Sequence, residues 1–160
     1  MSVASSVTDG STLDTTTDGP ARPIARLYGI VFLLVGIVGF IPRITTHYSS
    51  MTFAGHLSGA MELGVFRVSV LHNVVHLLYG LAGLALARTH RTARTYLLVG
   101  GVVYGVLWVY GLAVGMGSRA NFVPLNTADN WLHLALAVTM IAAGLLTRRR
   151  LTTTSRTRTA

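Results

Sequence analysis

Four apolar runs dominate this 160-residue chain and leave little choice of fold: Ile24 to Ile41, Val68 to Ala87, Tyr96 to Met116, and Asp129 or Trp131 to Leu146. A helix crosses the hydrocarbon of a bilayer with roughly 20 apolar residues, and about 17 is the lower limit. The middle two runs meet that length easily. The first, framed by Pro23 and Pro42, and the last are short, and reach across by tilting less than their neighbours or by borrowing flanking polar turns. The expectation is an all-α bundle of four transmembrane helices, with spans at about 24–41, 68–87, 96–116 and 129–146.

Composition supports that class. Apolar residues make up 51% of the chain and charged residues 11%, too apolar a balance for an ordinary soluble domain. The net charge of +8 is carried by arginines that mostly flank the apolar runs, whereas a nucleic-acid surface would gather them into a patch with aromatics. The expected partner is therefore a lipid bilayer and not nucleic acid. With no Cys, disulfides, thiolate metal sites and cysteine catalysis are excluded.

The ends differ from the middle. Residues 1–21 are rich in Ser, Thr, Asp and Gly and read as a disordered tail, without the basic start of a signal peptide, so no cleavage is expected. Residues 148–160 read as a second disordered tail whose arginines stop transfer or touch anionic head groups. The membrane domain is thus 22–147. Ten of the 13 arginines flank the outer ends of the first and fourth runs or the turn holding Arg88, Arg91 and Arg94. Only Arg43, Arg67 and Arg119 fall on the other side. The positive-inside rule then places both termini and the middle turn in the cytoplasm, in a multi-pass membrane protein.

Within the second run stands His72-Asn-Val-Val-His76. Polar side chains in hydrocarbon are costly unless partnered, so each is a candidate functional group. At 1.5 Å per residue the two imidazoles lie about 6 and 12 Å below Val68 on one helix face, continued by Tyr79, Gly80 and Gly83. The fourth run enters from the same side and carries Asp129, Asn130 and His133. Three histidines, Asn73, Asn130 and Asp129 are expected to converge in the outer half of the bundle. Below them the glycines, together with Gly101 and Gly105 and with Gly111 and Gly115 at GxxxG spacing, allow close helix packing, internal or against a homo-oligomeric or other membrane partner.

Two readings of the cluster stand open. In one it is a structural or ligand-binding polar network, in which interhelical hydrogen bonds are worth about 0.6–2 kcal/mol each. In the other His72, His76 and His133, with Asp129 as fourth ligand or behind them, hold a transition metal (zinc, copper or iron) or haem. A zinc-hydrolase HExxH site is disfavoured, because Asn73 occupies the position of its Glu. His72 and His76, one turn apart, cannot take opposite haem faces, although either could pair with His133. No catalytic constellation is legible, and the reading favours a protein that is not an enzyme. Continuous proton or ion passage ranks last, because the cytoplasmic half is apolar.

Smaller features take plain roles. Asp129 is placed to cap the fourth helix. The long segment from Pro42 to Arg67 holds His47, His56, Met51 and Met61, which suit monovalent copper but read first as an interfacial loop, and Glu62 is expected to pair with Arg67 or another arginine. Trp108, Tyr110, Phe122 and Trp131 read as interfacial belt aromatics, and His90 as solvated.

Three stretches, ELGVFRVSVLHNVVHLLYGLAGLALA, YLLVGGVVYGVLWVYGL and ADNWLHLALAVTMIAAGLL, together resemble a small, largely actinobacterial membrane family known as domain of unknown function DUF4383. The resemblance covers about residues 22–147, with HNVVH and DNWLH its specific part. It implies a four-span protein of a bacterial cytoplasmic membrane and assigns no activity, ligand or catalytic residue.

Overall fold

The structure is a computed structural model, and it describes residues 19–148. Both tails fall almost entirely outside that range. Four helices follow in order: α1 Ala21–Val38, α2 Val70–Leu86, α3 His90–Ala113 and α4 Thr127–Leu146.

Local chemistry sets their ends. Pro23 sits in the first turn of α1, where its missing N–H costs nothing. The Ser69 side chain accepts from the His72 amide at 3.2 Å and so starts α2 at Val70. Thr89 does the same for α3 through the Thr92 amide. That cap begins α3 six residues before Tyr96, so Arg91 and Arg94 belong to the helix and only Arg88 to the turn. Arg94 Nε then donates to the Gly144 carbonyl at 2.7 Å, a carbonyl near the end of α4.

Close approaches between helices follow the glycines. A Cβ on Gly29 would meet the backbone of Gly80 and Leu84, and one on Gly36 would meet Leu77 and the Asn73 carbonyl. Rising along α1 is thus falling along α2, an antiparallel pair. Gly101 meets Ala137 and Ile141, and Gly111 meets Asn130, which makes α3 and α4 antiparallel too. Of the two GxxxG pairs, Gly101 and Gly111 serve contacts with α4, Gly105 reaches only Ala137, and Gly115 faces open space. Tyr28 on α1 reaches Thr139 on α4 at 2.8 Å and closes the bundle.

Aromatic rings fill its middle. Phe32 lies stacked on Tyr104 at 5.4 Å and edge-on to Tyr79 at 4.9 Å, joining α1, α2 and α3 at one point. Leu97, Ala137 and Met140 continue this core towards the other end. The outward faces are apolar as well: Leu27, Ile30, Leu34 and Ile37 on α1, and Val99, Val102, Val106 and Val109 on α3, are all exposed. Exposed apolar surface on this scale marks a face that meets something other than water. Helices α1, α3 and α4 are each long and apolar enough to cross a membrane, and α2, at 17 residues, is a shorter apolar helix. The described chain is a helical bundle with membrane-like helices.

The segment between α1 and α2 is more ordered than a plain loop. Two-residue strands β1 Thr45–Thr46, β2 Met61–Glu62 and β3 Phe66–Arg67 form an antiparallel sheet in that order. Buried Thr45 donates to the carbonyls of Val38 or Gly39, groups that the end of α1 leaves without helical partners. Gly55 donates to the Phe122 carbonyl at 2.8 Å, tying this cap to the α3–α4 connection. His90, expected in water, is instead buried, and its imidazole fills the space a Cβ on Gly19 would need.

Candidate functional site

The cap and the start of α4 are built around one carboxylate. Asn126, not Asp129, is the N-cap: its Oδ1 accepts from the Asp129 amide at 2.9 Å, while Asp129 Oδ2 accepts from the Asn126 amide at 2.9 Å. This reciprocal capping box explains why an acid stands three residues into the helix. Asp129 Oδ2 also accepts from the Arg67 amide at 3.1 Å, and Asn126 Nδ2 donates to the Val65 carbonyl at 2.8 Å. The sheet is thereby fastened to α4 across more than 60 residues of sequence. Replacing Asn126 with Ala removes both of its bonds, and unfolding free energy in detergent should fall by about 1–2 kcal/mol, with Asn126→Ser keeping most of the cap. Reversible denaturant titration of the two variants beside the parent measures it.

Beneath this cap all three histidines line the same cavities. His72 and His76 lie with ring centroids 4.3 Å apart, and His76 is 5.7 Å from Phe32. His133, buried on α4, lies 5.3 Å from the ring of Tyr104. All three imidazoles line two cavities. The larger, about 170 Å³, continues along Val75, Tyr104, Leu107 and Phe122. The smaller, about 80 Å³, holds Glu62 and Asp129 on its far side. The imidazoles are therefore a partition between an apolar chamber and one that carries two acids.

The asparagines do not join them. Asn73 packs on Gly39 at the end of α1, its Nδ2 4.0 Å from the Met51 sulfur. Asn130 fills the space beside Gly111 of α3. Each is turned to a neighbouring helix at a glycine, Asn73 to α1 and Asn130 to α3. The smaller cavity is thus lined by three imidazoles and two carboxylates, and the asparagines serve helix contacts.

The metal reading loses its geometry. Among the described residues no group of three or more His, Asp or Glu is placed to hold a metal ion. Asp129 spends Oδ2 on two backbone amides, and His76 turns Nδ1 to the His72 carbonyl at 3.1 Å. His47 is exposed in the cap, in a left-handed conformation at φ 49°, away from the buried histidines.

Two residues of the site were not placed there by the sequence. Tyr104 resembles any other apolar-run aromatic, and only the stacking on Phe32 places it in the chamber. Glu62 was expected to pair with arginine; instead it is buried beside Asp129, and burial first, then that neighbouring charge, push its carboxyl up to about 7.

The family model for domain of unknown function DUF4383 matches residues 22–146. The chain belongs to the DUF4383 family. Comparison with curated proteins and with solved structures finds no match. The DUF4383 match spans all four helices, the cap and the three imidazoles, so the whole site lies inside the family domain.

Proposed function

We propose that this DUF4383 protein is a non-enzymatic, four-span protein of the bacterial cytoplasmic membrane, both termini inside, that binds a small membrane-soluble molecule in its outer half. The observation that carries the reading is the chamber of about 170 Å³ walled by His72, His76, His133 and Tyr104. A dry cavity of about 150 Å³ in a protein core is large enough to hold benzene. Val75 and Phe122, both on the chamber wall, are also half or more exposed on the outside of the bundle, which provides a route from lipid. Four spans are supported by α2 running antiparallel to α1 over its whole length, and the orientation by the arginine distribution.

The test is binding of fluorobenzene to the full chain in lipid nanodiscs, read by ¹⁹F NMR against empty nanodiscs. A saturable bound population is expected, and Leu107→Trp or Val123→Phe, which fill the chamber from different walls, should weaken it about tenfold or more without lowering thermal stability. Partitioning indistinguishable from that into lipid alone would refute the reading.

A further inference from the structure

We infer that the chamber selects molecules that donate a hydrogen bond, and that its ligand class is a single-ring phenol-type compound: neutral, weakly acidic and lipid-soluble. This rests on the binding role proposed above and names the chemistry of the ligand.

The argument begins at His76. Its Nδ1 lies 3.1 Å from the His72 carbonyl oxygen, and a carbonyl only accepts. That contact is a hydrogen bond only if Nδ1 carries the proton. A neutral imidazole has one N–H, so Nε2 is left as a bare acceptor. The helix backbone thus fixes the tautomer, because residue 76 stands one turn after residue 72. No described residue donates to Nε2. His76 lines the chamber, and a ligand hydroxyl there supplies the donor that Nε2 lacks.

The walls set the rest of the ligand. Apart from Ser69 and the imidazoles, Tyr104 and Phe122 present aromatic surface, and Leu71, Val75 and Leu107 present aliphatic surface. Ser69 is engaged as the cap of α2. A ring of benzene size matches the volume, and aromatic walls favour a ring over a chain of equal size. A charged ligand would meet no opposite charge here. The acids Glu62 and Asp129 lie across the partition, beside the smaller cavity. One hydroxyl on one ring is therefore the complement of the chamber: the hydroxyl satisfies Nε2 and the ring fills the remainder.

The experiment compares phenol with toluene, which has no polar hydrogen, and benzaldehyde, which only accepts, each titrated into full chain in nanodiscs and referenced to empty nanodiscs. Phenol should bind about tenfold more tightly than either, the increment of one buried hydrogen bond. In ¹⁵N-histidine spectra, His76 should show its proton on Nδ1, and its Nε2 signal should move when phenol is added. His76→Phe should reduce phenol to the affinity of toluene. Equal binding of all three overturns the donor selection and leaves the chamber reading intact. Preference for benzaldehyde overturns it also, by placing the proton on Nε2. If none binds, the chamber reading falls as well. The comparison in the unmodified chain decides between these results even if His76→Phe does not fold.

Discussion

Glu62 should cost the protein stability as pH rises from about 4.5 to about 7, and Glu62→Gln should remove that contribution. Glu62 is buried under the cap, and its carboxyl is raised from 4.5 to about 7 by burial and by the charge of Asp129. Below pH 4.5 the carboxyl is protonated whether the chain is folded or not, and contributes no difference. Between 4.5 and 7 the unfolded chain releases the proton while the folded chain keeps it, so the folded state binds more protons and stability falls with pH. Above about 7 both states are ionised and the curve levels. At about 1.4 kcal/mol per pH unit the Glu62 contribution is at most about 3.5 kcal/mol. Asp129, its carboxyl also pushed up to about 7 by burial, adds a loss of the same sign in both proteins. The difference between the parent and Glu62→Gln curves therefore reports Glu62 together with its charge coupling to Asp129. Thermal unfolding in nanodiscs from pH 4 to 8 measures it, and parallel curves would contradict the burial of this carboxyl.

Gly80→Ala should be the most damaging single methyl in the bundle, and Gly105→Ala a harmless one. A Cβ on Gly80 would stand 2.7 Å from the Gly29 carbonyl oxygen and 2.7 Å from the Leu33 amide nitrogen. Both are backbone atoms of α1, so relief requires moving one helix against the other, which costs about 1–3 kcal/mol. The same displacement would separate Phe32 from Tyr79 and His76 and so open the chamber. At Gly105 the nearest atom is 3.9 Å away, and the better helix propensity of Ala should make the change neutral or stabilising by up to about 1 kcal/mol. Unfolding free energies of the two variants in one detergent give the contrast.

How much of this was legible in the residues follows from which interactions are local. The helices could be read because hydrophobic length and Pro, Ser and Thr signals act within a few residues. His72 and His76 could be placed on one face by helical period alone, and the depth match with His133 followed from chain direction. The asparagines could not be sorted from the histidines without the rotation of α2 and α4, which is set by close packing at Gly29, Gly80 and Gly111. Asp129 was recognised as a capping residue, but its true position, third in the helix, depends on Asn126 and on a bond to Arg67 that sequence spacing does not show. The cap over the site escaped a sequence reading for a similar reason. Its strands are two residues long, too short for alternation, and are held by hydrogen bonds to α1, α4 and the α3–α4 connection.

The central claim is that a small molecule occupies the chamber walled by histidine, and the most direct measurement is a distance between ligand and imidazole. Solid-state NMR dephasing between fluorobenzene and ring-labelled histidine, on full chain in bilayers, reads it. The account predicts dephasing of the His72, His76 and His133 signals, lost in Leu107→Trp, with no effect on exposed His47. Dephasing absent from the three buried rings, with fluorine signals that report only lipid contact, would contradict it.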